Sequence, residues 1–156
     1  MDHPTVRIRQ DLHLDVPLVR HPPLEEHAVV PERSGRLLVG ADRSLRAEDL
    51  VEIVEGAMSS ENYDLLKRPD ELFVVEHAHL QPRFVEDSVR LSVKGALEAM
   101  PDLADDDFVF ARQVNFETIH AHDVIAERTG LLGELRAELA GGDGGTHQSL
   151  DDWLRS

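Results

Sequence analysis

Two glutamates and one pair of histidines have the types and spacing that chemistry needs. Glu71 closes the run Lys67-Arg68-Pro69-Asp70-Glu71, just before the apolar Leu72–Val75. Glu86 lies in Phe84-Val85-Glu86-Asp87, in the first turn of an expected helix where it can face a pocket. A carboxylate can ligate a metal ion, or accept two parallel N–H bonds from a guanine-like edge. For any single glutamate in so acidic a chain, the ordinary role is surface charge. His120 and His122 are two residues apart, and on a strand such residues share a face, so both imidazoles would line one cleft. Histidine serves there as a proton shuttle near neutral pH or as a metal ligand. The same spacing at His77 and His79 reads as structural, because both follow the apolar Phe73-Val74-Val75.

The elements that must position these residues follow from periodicity. Residues 5–16 alternate, with Val6, Ile8, Leu12, Leu14 and Val16 on one face, which predicts a half-buried strand. Pro17, Pro22, Pro23 and Pro31 make 17–34 a loop. Gly35–Ala41 is a second strand. Ser44 is placed to cap a helix over Ala47–Met58, whose stripe is Leu50, Val51, Val54, Ala57 and Met58. Met58–Asp87 then forms a long connection dense in ionisable groups. Long connections in compact domains are commonly functional, so the active or binding surface is expected there. Pro82 fits the first turn of a second helix running to Met100, with Val85, Val89, Val93, Ala96, Leu97 and Met100 inward.

Phe108–Glu117 alternates again as a third strand. Phe108, Phe110, Val114 and Phe116 point one way, and Val109, Ala111, Gln113, Asn115 and Glu117 give the other, a polar face that could be functional. His120–Ala126 makes a fourth strand and Thr129–Ala140 a short helix with Leu131, Leu132, Leu135 and Leu139 inward. The order β-β-α-α-β-β defines an α+β fold, an antiparallel sheet with two helices on one face. Residues 1–140 form the domain. Residues 141–156 form a Gly-rich linker and a short tail in which Trp153 docks locally.

Composition narrows the function. The chain has 156 residues and a formal net charge of −15. Of its 16 basic residues only Lys67 and Lys94 are lysines. Such a charge argues against nonspecific nucleic-acid binding, which depends on neutralising phosphates. An acidic, lysine-poor surface suits a high-salt, halophilic cytoplasm, where screening weakens self-repulsion. Without cysteine there is no disulfide, thiolate ligand or thiol nucleophile. No apolar run is long enough to cross a membrane. The opening Met-Asp-His-Pro is not a signal peptide, so a cytoplasmic location is expected. Phosphate-binding GxxxxGK[ST], dinucleotide-binding GxGxxG, zinc-binding HExxH and the nucleophile elbow GxSxG are all missing from the sequence.

Three motifs in order carry a specific resemblance. They are Leu66-Lys67-Arg68-Pro69-Asp70-Glu71, Phe84-Val85-Glu86-Asp87, and Glu117-x-Ile119-His120-x-His122. Together they resemble the type IB GTP cyclohydrolase family, most of all its archaeal branch, over roughly Leu45–Leu139. The match is to the C-terminal of that family's two tandem tunnelling-fold units, whose element order is β-β-α-α-β-β. The resemblance implies hydrolytic opening of the imidazole ring of GTP with loss of formate, giving a dihydroneopterin phosphate. It implies a divalent metal (Fe2+, Mn2+ or Zn2+) that activates water. Glu71 matches a metal-ligating glutamate, Glu86 the glutamate that anchors the guanine edge, and His120 and His122 the histidines that move protons. Arg68, Arg83 or Lys67 could meet phosphate, arginine by bidentate contact. The resemblance also implies assembly side by side, as a homo-oligomer or with a partner subunit.

Two departures stand beside it. The family's first metal ligand is a cysteine, and its second a histidine where this chain has Val30. His21 and His27 lie near the two missing positions and are the candidates to replace them. The departures keep a second reading open, a metal-free module that binds a purine or pterin, or one subunit of a split enzyme.

Overall fold

The computed structural model describes residues 8–16, 19–20, 29–30, 33–60, 68–116, 121–142 and 148–155. Strand β1 (Ile8–Val16) pairs antiparallel with β4 (Arg33–Ala41), with Leu12 opposite Leu37. Between them, β2 (Val19–Arg20) and β3 (Val29–Val30) pair as a small second sheet. The proline-rich segment expected to be loop therefore holds a short ladder, and β4 starts earlier than Gly35. Strand β4 pairs with β5 (Phe108–Asn115), and β5 with β6 (Val124–Leu131), giving the antiparallel order β1-β4-β5-β6.

Three helices precede β5: α1 (Ala47–Ala57), α2 (Arg68–Leu80) and α3 (Val85–Ala99). The α+β class and the order of paired strands around helices stand, with α2 added. Its Val74, Val75 and Ala78 are buried, a one-turn apolar face that sequence reading places in a connection. Helix α1 starts after Arg46, which has no side-chain cap, so Ser44 does not cap it. Pro82 precedes the N-cap of α3, Phe84, rather than entering its first turn. The last two helices are α4 (Leu132–Leu139) and α5 (Leu150–Arg155). Thr129–Leu131 belong to β6 rather than to α4, and Leu139 is exposed rather than inward.

The main core lies between the sheet and α1, α3 and α4. Leu37, Val39, Val109 and Ala111 meet Leu50, Val54, Val89, Val93 and Leu135. The face of β5 that carries Gln113 and Asn115 is thus the helix-covered one. Both side chains are buried, and Gln113 Nε2 donates to Asn115 Oδ1 at 3.0 Å. The phenylalanine face is not left bare at one end. Trp153 of α5 stacks on Phe108 at 5.7 Å between ring centroids and donates from Nε1 to the Asp106 carbonyl at 2.8 Å. Leu38 completes this second, smaller core. Gly40 makes the approach possible, since a Cβ there would lie 2.5 Å from the indole ring.

The turn from Pro101 to Asp107 receives α4. The N–H groups of Leu132 and Gly133 donate to the carbonyls of Asp107 and Asp105, which satisfies two orphan donors of that helix. Arg136 returns from α4 to pair with Asp105 and to donate to the Leu103 carbonyl at 2.9 Å.

Candidate active site

Register places Arg33, Asn115 and Val124 at one end of the sheet. Helix contacts bring two further elements to that end. Arg33 donates to the Ser59 hydroxyl just past α1, and Arg83, just before α3, donates to the Met58 carbonyl at 2.8 Å. The C-terminus of α1, the N-terminus of α3, the end of β5 and the start of β6 therefore meet. Buried Ser59, Ser60, Gln113 and Asn115 make this the polar end of the core.

Glu86 is in the first turn of α3 and is exposed. The turn itself is closed by the Phe84 N–H donating to Asp87 Oδ2 at 3.3 Å. Glu86 stands on the rim of a groove of about 500 Å3 between α3, β6 and α4. Val89, Val93, Ala126 and Leu135 give the groove an apolar side, and Arg90 shares the rim. Lys94, Glu127, Arg128 and Glu138 line it as well, so the groove offers both apolar surface and charge of either sign.

His122 is exposed and lies in a bend, two residues before β6 begins. The strand that was to hold the His-x-His pair starts too late, so the shared-face argument does not apply to it. His120 lies outside the described residues. The structure brings Glu86 and His122 to the same end of the sheet. Arg68 and Glu71 fall in the first turn of α2. Lys67, His21 and His27 lie outside the described residues. Among the described residues, no three His, Asp or Glu side chains gather to hold a metal ion.

The second His-x-His pair, for which the sequence context implies a structural role, makes local contacts on α2. His79 Nδ1 lies 2.7 Å from the Val75 carbonyl one turn back, and His77 stacks on Phe73 at 5.5 Å. Arg83, a candidate for phosphate by type, commits Nη1 to the carbonyls of Gly56 and Met58. Neither that contact nor the groove wall from α4 has a local sequence signal, because both depend on topology.

Fold and site together define an α+β unit with polar and charged groups at one end of an antiparallel sheet. Residues 33–126 match the family model for type I GTP cyclohydrolase folE2. The chain belongs to that family. It is 50% identical over 101 residues to GTP cyclohydrolase MptA of Methanothermobacter thermautotrophicus, covering 65% of this chain and 32% of that protein. It is 45% identical over 100 residues to GTP cyclohydrolase MptA 1 of Methanocella arvoryzae, covering 64% and 32%. The MptA of Methanocaldococcus jannaschii is 48% identical over 91 residues, covering 58% and 29%. The match thus spans about a third of the length of these relatives. No helix among the described residues is long and apolar enough to cross a membrane.

Proposed function

We propose that this chain acts as a GTP cyclohydrolase, opening the imidazole ring of GTP by hydrolysis and releasing C8 as formate, on the path to a pterin. The observation that carries this reading is the family match over 33–126, which contains Glu86 and His122 at one end of the sheet. Its finer form is the type IB branch and the tunnelling fold, with a dihydroneopterin phosphate as product.

Glu86 accepts the two parallel N–H bonds of the guanine edge. An ionised carboxylate has only acceptors, two oxygens set for paired donors. His120 and His122 move protons, a role suited to imidazole near neutral pH. Lys67 and Arg68, the latter the first residue of α2, meet phosphate. Glu71, with His21 and His27 in place of the family's missing Cys and His, are the candidates to hold Fe2+, Mn2+ or Zn2+. The chain works in a cytoplasm of high salt, as a homo-oligomer or with a partner subunit.

The test is a formate assay on GTP with each metal ion in turn, at high salt, alongside calorimetric titration of GTP. Metal-dependent formate release, lowered at least tenfold in Glu86→Gln, is the expected result. GTP binding without formate under every metal condition would replace the enzyme with a binding module. Neither binding nor turnover would sink the reading.

A further inference from the structure

The segment Gly56–Ser60 is held from two sides. The last carbonyls of a helix have no partner within it and carry its partial negative charge. Helix α1 has no basic residue in its own last turn. Arg83 supplies the cation from 25 residues further along, donating through Nη1 to the carbonyls of Gly56 and Met58. From the sheet side, Arg33 donates to the Ser59 hydroxyl. Directly after Arg83 comes the closed first turn of α3, where Asp87 accepts from the Phe84 N–H. The backbone of Glu86 thus lies between a bond to another helix and a bond within its own cap.

We propose that Arg83 is a positioning residue for Glu86. Its guanidinium locks the first turn of α3 to the C-terminus of α1, so the carboxylate is already set when a purine edge arrives. The inference rests on the reading of Glu86 as the guanine anchor. Lysine carries the charge but not the planar fork, so it replaces Arg83 only in part.

The experiment uses the full 156-residue chain. GTP is titrated into the unsubstituted protein and into Arg83→Ala, Arg83→Lys, Glu86→Gln and the Arg83→Ala/Glu86→Gln pair. Hydrogen exchange is followed on the same samples. Arg83→Ala is expected to weaken GTP binding about tenfold, an ordinary coupling for residues that act together. Arg83→Lys recovers part of it. The pair binds no more weakly than Glu86→Gln alone, because Arg83 acts through Glu86. Losses that multiply in the pair overturn the proposal, since a phosphate contact or a general loss of structure would behave that way. Exchange in Arg83→Ala rises at 58–60 and 84–88 while β4 and β5 stay protected. Unchanged exchange at those amides overturns the clamp whatever happens to GTP. If the unsubstituted chain takes no GTP, the functional reading fails, and the exchange pattern alone decides the clamp. Should Arg83→Ala lose its fold, Arg83→Lys with and without Glu86→Gln carries the same comparison.

Discussion

Trp153→Ala removes the anchor of α5. The indole is 2% exposed, stacked on Phe108 and bonded to the Asp106 carbonyl. Burying a side chain of that size is worth on the order of 5 kcal/mol by area. A Trp→Ala change at a fixed core site costs about 3–5 kcal/mol. Here α5 is only six residues long and can leave the sheet, so part of the loss is returned as chain entropy. The expected cost is therefore about 2 kcal/mol, below the range for a fixed site. Gly40→Ala should reach the same end state, because its Cβ would occupy space 2.5 Å from the ring. The assay is urea unfolding followed by far-UV circular dichroism at fixed salt. The two single variants and the pair should show nearly the same midpoint, since each undocks the same helix. A Trp153→Ala loss below about 0.5 kcal/mol would refute the reasoning. So would a pair whose losses add.

Burial pushes the Asp107 carboxyl above its ordinary 3.8, offset in part by the Ala104 N–H that it accepts. Below 3.8 both states hold the proton, and as pH rises past it the unfolded chain ionises first, so folding is penalised. Asp107→Asn keeps an acceptor for Ala104, and its stability relative to the parent should rise through the window just above 3.8; parallel pH profiles would contradict this. Glu138→Gln breaks the 2.7 Å pair with Arg128 and should cost about 1 kcal/mol at low salt, shrinking at high salt in thermal melts. Arg136→Ala loses the bonds that tie α4 to the 101–107 turn, and about 1–2 kcal/mol of stability in denaturant titration.

The long stripes were the legible part of this fold. Val85, Val89, Val93 and Ala96 recur at helical spacing and are all buried on α3, and Leu50 and Val54 do the same on α1. Helix α2 was not legible, because its Val74, Val75 and Ala78 span a single turn and Phe73 and Leu80 stay exposed. Alternation located β5 but did not say which face meets the helices. Both faces are apolar over part of their length, since Val109 and Ala111 serve one core and Phe108 the other. For the site, the place of Glu86 in a first turn could be read locally from Phe84-Val85-Glu86-Asp87. The bend at His122 could not, because the start of β6 is set by its pairing with β5, where Val124 faces Asn115. The role of Arg83 depends on a partner 25 residues away, which no local pattern encodes.

The docking of α5 also sets an order of events during synthesis. Leu38, Phe108 and Phe110 leave the ribosome well before residues 148–155 do. In that interval the sheet offers a greasy strip with no cover, at the moment when neighbouring nascent chains are closest and incomplete folds are prone to aggregate. Slow decoding or premature release between 142 and 148 would lengthen the exposure. The interval before α5 docks is therefore the one in which this strip is open to non-native contacts.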